Sequence, residues 1–183
     1  MELIPPGAEI LIPAAEIERR VAEIAGEITA SYEDRSLVVI PLLKGGFMFA
    51  ADLVRRLRIG SGVTLEFVGA SSYGEETSSS GEVRLTLDTS TPLAGRDVLL
   101  VEDIIDTGLT LAYIQKLVLS RVPASLRTAV LLDKKARRRV DVEVSWVGFE
   151  IPDRFVFGYG LDGPGGLYRN LGDIFALAPE DRR

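Results

Sequence analysis

Four short apolar runs fix the architecture more firmly than anything else in this chain. LVVIPL from Leu37, VTLEFVGA from Val63, VLLV from Val98 to Val101 and the stretch from Thr128 to Leu132 are each too short for a core helix and rich in β-branched residues. Runs apolar at nearly every position suit strands buried on both faces. Segments of helical period separate them. Ala14 to Tyr32 places Ile17, Val21, Ile24 and Ile28 on one face, an apolar helix is predicted from Phe47 to about Leu57, and another from Thr110 to Leu119. VSWVGFEI and RFVFGYG read as two further short strands. This alternation predicts an α/β fold: a mostly parallel sheet flanked by helices. In such sheets ligands lie beyond the carboxyl ends of the strands. Lys44, Asp103 and Lys134 are each expected just past such an end, so three loops should meet on one rim.

Composition narrows the chemistry available there. The chain has 183 residues and is 46% hydrophobic, which suits one domain with a core of its own. With no cysteine, disulfides, thiolate metal sites and cysteine nucleophiles are excluded together, and with no histidine the usual general base is absent. Acid–base work must then fall to Asp, Glu, Lys or Tyr. A net charge of −6 argues against nucleic-acid binding, and it means a polyanionic substrate needs lysine, arginine or a divalent cation close by. No apolar run approaches the ~20 residues that span a bilayer. The start, MELIPPGAEI, lacks a basic region followed by an apolar one, so a cytoplasmic chain is expected.

The densest chemistry lies in VLLVEDIIDTGLTL, from Val98 to Leu111. A buried strand runs into Asp106-Thr107-Gly108-Leu109-Thr110 and then a helix, a layout whose amides and hydroxyls can cup a phosphate. Glycine at 108 lets the backbone come close to a ligand. Thr107 or Thr110 could equally serve as a plain helix cap. Glu102, Asp103 and Asp106 are more than a cap needs, and crowded carboxylates raise one another's pKa unless they have partners or a use.

VEDIIDTGLT resembles the phosphoribosyl pyrophosphate (PRPP) motif of the hypoxanthine-guanine phosphoribosyltransferases. The likeness extends in order to LLKGG at Leu42 to Gly46, SSYGEETSSSGE at Ser71 to Glu82, and VGFEIPDRFVFGYGLD at Val147 to Asp162. It implies a single type I phosphoribosyltransferase domain over residues 1–183. A small hood would come from the N-terminal segment and about 150–183, and a long flexible hairpin loop over Ser71 to Glu82 would close as a lid with Ser72 and Tyr73 at its working end.

The resemblance also assigns roles. The 106–110 loop would hold the 5′-phosphate, while Glu102 and Asp103 would grip the ribose hydroxyls directly or through Mg²⁺. Asp106 would be the base that takes the purine N7 proton. Lys44 and Gly45, after a cis peptide, would meet pyrophosphate, together with Arg169. Lys134 would donate to the 6-oxo group, Phe155 would stack on the purine, and the Val156 backbone would bond its edge. Asp162 would be the second carboxylate near Mg²⁺ and pyrophosphate, beside the purine. Arg137, Arg138 and Arg139 are expected to be a solvated basic face. The stretch from Gly163 to Gly166 is glycine-rich and one residue longer than the family pattern, which predicts a looser hood and leaves the placement of Arg169 open.

The expected activity is Mg²⁺-dependent transfer of phosphoribose from PRPP to hypoxanthine or guanine, giving the nucleoside monophosphate and pyrophosphate. Two other readings stay open at this point: a sister enzyme preferring xanthine, and a PRPP-sensing, RNA-binding regulator on the same fold. The family further implies a homo-oligomer, a dimer or tetramer.

Overall fold

The structure is a computed structural model and describes residues 4–72 and 83–177. In chain order its elements are β1 (Ala8–Ile12), α1 (Ala14–Ser31), β2 (Leu37–Leu43), α2 (Gly46–Arg56), β3 (Val63–Leu65), β4 (Val68–Ser72), β5 (Val83–Leu87), β6 (Asp97–Ile105), α3 (Leu109–Leu119), β7 (Ser125–Asp133), β8 (Trp146–Glu150), β9 (Val156–Phe157) and β10 (Ile174–Leu177).

The main sheet has the order β5-β4-β2-β6-β7-β8, with β3 also paired to β2. The pairings β2–β6, β6–β7, β7–β8 and β2–β4 are parallel; only β5, beside β4, runs the other way. Alternate residues divide between the two faces, as the pleat requires. Leu37, Val39, Leu99 and Val101 face α1 and α2, where Ile17, Val21, Ile24, Ile28, Phe49 and Leu53 cover them. Val38, Ile40, Val98, Leu100 and Val130 face Leu111, Ile114 and Val118 of α3. The central stretches of β2, β6 and β7 are therefore apolar in consecutive residues because both faces are packed.

Three details differ from the sequence reading. The run from Val63 is two strands, β3 and β4, interrupted at Glu66 and Phe67. Pro41 of β2 has no N–H to offer across from that interruption. Glu66 is buried in the gap, where it accepts bonds from the Ser90 N–H (2.8 Å) and the Thr91 hydroxyl (2.7 Å). Second, β6 continues through Glu102 and Asp103 to Ile105, so Asp103 lies within the strand rather than past its end. Third, β1 and β10 were not anticipated. They pair antiparallel with each other, and β10 pairs with β9, making a small three-stranded sheet of order β1-β10-β9. It joins segments far apart in the chain, Ala8 opposite Leu177 and Ile12 opposite Ile174, a pairing that local pattern does not reveal. The loop expected over Ser71 to Glu82 falls mostly outside the described residues, Tyr73 included; its flanks, β4 and β5, do pair antiparallel.

Candidate active site

Because β2, β6 and β7 are neighbours and parallel, the residues that follow them come together. Lys44 follows β2 directly, Asp106 follows β6 and Lys134 follows β7. The Lys134 N–H donates to the Ile105 carbonyl at 2.9 Å, tying the ends of β6 and β7. A cavity of about 560 Å³ opens beside this rim, lined by Asp106, Lys134, Phe155, Val156, Leu161 and Asp162 among others. Five residues chosen from sequence thus share one wall. Lys134 is 5% exposed and Phe155 40%, so the lysine is enclosed while the ring stands open to a ligand. The Leu177 N–H donates to the Phe155 carbonyl at 3.0 Å, so β10 fixes that ring's backbone. β9 is an edge strand of the small sheet, which leaves one side of Val156 unclaimed by β pairing.

The loop at the start of α3 is braced from behind. Gly108 has φ 84°, and a Cβ there would stand 2.9 Å from the Val140 carbonyl. The N–H groups of Arg139 and Val140 both donate to the Thr107 carbonyl, at 2.9 and 3.3 Å. Glycine at 108 is therefore required by packing against residues 138–140 as well as by its backbone conformation. No side chain caps α3; the Thr107 hydroxyl only reaches the Leu109 N–H at 3.4 Å. The plain-cap reading of this loop does not hold for the described geometry.

Glu102 and Asp103 sit next to each other. Burial, and then the charge of Asp103, push the Glu102 carboxyl well above the usual carboxylate range. Burial also raises Asp103, against hydrogen bonds from Glu102 and the Ile104 N–H and the nearby Arg169 guanidinium. A methyl group on Gly45 would overlap the Asp103 carboxylate, so the turn at Lys44 to Gly46 lies flush against it. The Leu43–Lys44 peptide is cis, as expected.

Glu102, Asp103 and Asp162 do not form one cluster: among the described residues no three His, Cys, Asp or Glu side chains gather as a cation site. Asp162 instead pairs with Arg169 at 3.0 Å, and Arg169 also donates to the Gly160 carbonyl at 2.5 Å. Glu102 and Asp103 remain a pair of adjacent hard oxygen donors. That donor set fits a divalent cation whose other ligands come from substrate and water.

The glycine-rich stretch after Asp162 is anchored rather than loose. The Gly163 N–H donates to the Leu167 carbonyl at 2.8 Å, and the Tyr168 ring packs on Phe157 with centroids 5.4 Å apart. A side chain at 163 would meet Tyr168 at 2.7 Å. A second correction concerns the basic run. Arg137 lines the cavity and pairs with Asp106 at 3.2 Å, and Arg138 forms an ion pair with Asp133. The signal for both was spacing, three and four residues past the lysine that follows β7, but the run of charge masked it.

Comparison with known proteins agrees with this architecture. The phosphoribosyl transferase domain family matches residues 8–163. The hypoxanthine-guanine phosphoribosyltransferase of Dictyostelium discoideum is 48% identical over 84% of this chain and 87% of its own. That of Bacillus subtilis is 44% identical over 93% of each. Among solved structures, the Trypanosoma cruzi hypoxanthine phosphoribosyl transferase superposes with a TM-score of 0.88 at 46% identity, covering 98% of this chain and 96% of that one.

Proposed function

The chain belongs to the phosphoribosyltransferase family, in its hypoxanthine-guanine branch, and on that premise we propose that it transfers phosphoribose from PRPP to hypoxanthine or guanine. The observation that carries the residue assignments is the single rim where Asp106, Lys134, Phe155 and Val156 face one cavity beside the α3 loop.

Each group then has work that its chemistry suits. The 106–110 loop meets the 5′-phosphate with main-chain N–H groups and the positive end of α3. Glu102 and Asp103 accept from the ribose 2′- and 3′-hydroxyls. Lys134, an ammonium that can only donate, bonds the 6-oxo group and opposes the 6-amino group of adenine. Phe155 stacks on the purine, and the unpaired backbone edge at Val156 bonds its rim. Asp106 takes the N7 proton as the base attacks the anomeric carbon and pyrophosphate departs. Lys44, the Gly45 amide and Arg169 hold the departing pyrophosphate. Glu102 and Asp103 would hold Mg²⁺, which when bound would supply charge compensation that a protein of net charge −6 otherwise lacks.

The small sheet β1-β10-β9, which carries Phe155 and Val156 beside the main sheet, serves in this reading as the hood of one domain over residues 1–183. No helix among the described residues is long and apolar enough to cross a membrane, and the proposal places the activity in the cytoplasm. A homo-oligomer, dimer or tetramer, completes the proposal and is tested by light scattering.

Initial rates with PRPP, Mg²⁺ and each of hypoxanthine, guanine, xanthine and adenine test the function directly. Hypoxanthine and guanine should release pyrophosphate and form nucleotide, and adenine should not. Preference for xanthine, or no release with any base, would overturn the reading.

A further inference from the structure

Arg137 stands at the wall of the site, half-exposed, on a backbone that is fixed to it. Its N–H donates to the Lys134 carbonyl at 3.1 Å within a short turn over Lys135 to Arg137. The next residue, Arg138, is locked to Asp133, and the two after it grip the Thr107 carbonyl. The backbone from 134 to 140 is thereby fixed to the same loop that carries Asp106. From this mount the Arg137 guanidinium reaches Oδ2 of Asp106 at 3.2 Å, at the wall of the cavity.

The two oxygens of Asp106 are not equivalent. Oδ1 is shut from solvent and accepts no hydrogen bond from the described residues. The side chain as a whole is 37% exposed, so what the carboxylate presents to the cavity is Oδ2. Rotation about the Cβ–Cγ bond would exchange the two oxygens and is intrinsically soft. The pair with Arg137 opposes that rotation. Both side chains are too exposed for the pair to matter much to stability. Its consequence is orientation.

Resting on the reading of Asp106 as the base, we propose that Arg137 is a positioning residue that holds Asp106 with Oδ2 toward the purine. An oxygen has lone pairs for two donors, so Oδ2 can keep Arg137 while it accepts the purine N7–H. The proton then moves from N7 to Oδ2, the N–H electron pair stays on the purine ring as the new bond to the anomeric carbon forms at N9, and pyrophosphate carries away the electrons of the broken C–O bond.

The test is a kinetic cycle on the full-length enzyme with hypoxanthine, PRPP and Mg²⁺, using Arg137→Met, Arg137→Lys, Asp106→Asn and the double variant Arg137→Met/Asp106→Asn. Arg137→Met should lower kcat roughly tenfold, the scale of a lost orientation, with the KM for PRPP unchanged. Arg137→Lys should recover part of the loss, and Arg137→Met should cost nothing further once Asp106 is Asn. Thermal melting confirms that each variant folds. Unchanged kcat in Arg137→Met would overturn the proposal. A raised KM for PRPP at constant kcat would make Arg137 a phosphate contact instead, and an equal loss in the Asp106→Asn background would show that it acts elsewhere. A wild-type enzyme inactive with every base would sink the parent reading, a different outcome from any of these.

Discussion

Replacing Gly45 by alanine should damage binding of the phosphoribosyl donor while leaving the fold nearly intact. Gly45 has φ −62° and ψ −45°, a conformation alanine adopts freely, so reduced freedom of the unfolded chain favours the variant by about 0.4–1 kcal/mol. The added methyl would overlap the Asp103 carboxylate and stand 3.0 Å from its Oδ1. To restore an ordinary contact of ~3.5 Å the carboxylate must retreat by roughly 2 Å. It would give up its bond from the Ile104 N–H at 2.8 Å, a loss of about 1 kcal/mol. The two stability effects nearly cancel. A melting temperature within ~4 °C of wild type is expected.

Function has no such compensation. A misplacement of ~1 Å at a site that aligns reactants can cost about a hundredfold, so kcat/KM for PRPP should fall by at least that. Gly46→Ala is the contrast: its methyl would meet the Val101 carbonyl at 2.8 Å, backbone that cannot swing aside, and overpacking of that kind costs about 1–3 kcal/mol. Thermal melts and initial rates with PRPP varied at fixed hypoxanthine measure both. Normal kcat/KM for PRPP in a well-folded Gly45→Ala enzyme would refute the claim that Asp103 works from its place against this turn.

Asp106→Asn should retain PRPP binding and lose ~10²–10⁴ in turnover, the usual contribution of a general base; near-normal turnover would remove Asp106 from that role. Lys134→Ala should raise the KM for hypoxanthine far more than that for PRPP, and equal losses would place the lysine away from the purine. Glu66→Ala should destabilise by about 1–3 kcal/mol at neutral pH, because Ser90 and Thr91 lose their buried acceptor. Hydrogen bonds from Thr91 and Ser90 lower the Glu66 pKa, so its stabilisation is full above the unfolded value of ~4.3 and is lost as pH falls through the lower folded value. Urea melts of wild type and variant should therefore converge on acidification; a constant gap across that range would contradict the assignment.

Several parts of this molecule are decided by local sequence. The period of Ile17, Val21, Ile24 and Ile28 allows one helix face, and that face is the buried one. Strand stretches apolar in consecutive residues must be covered on both sides, and those of β2, β6 and β7 are. The run from Glu102 to Thr110 carries its acids, hydroxyls and glycine at spacings that survive folding unchanged, because the segment is a strand, a turn and a helix start in continuous chain.

What required tertiary structure is whatever depends on partners far away in the chain. β1 and β10 are short and hold each other, so neither announces itself alone. The need for glycine at 45 comes from Asp103, and Tyr168 fills the space beside Gly163 that a side chain there would need. Arg137 looked like one charge among several; only the pinning of residues 138–140 to Thr107 turns its guanidinium onto Asp106. Pattern along the chain reports which faces must be buried, since burial of apolar surface acts on every residue of its kind. It does not report which distant groups will meet, since that follows from register and close packing over the whole sheet.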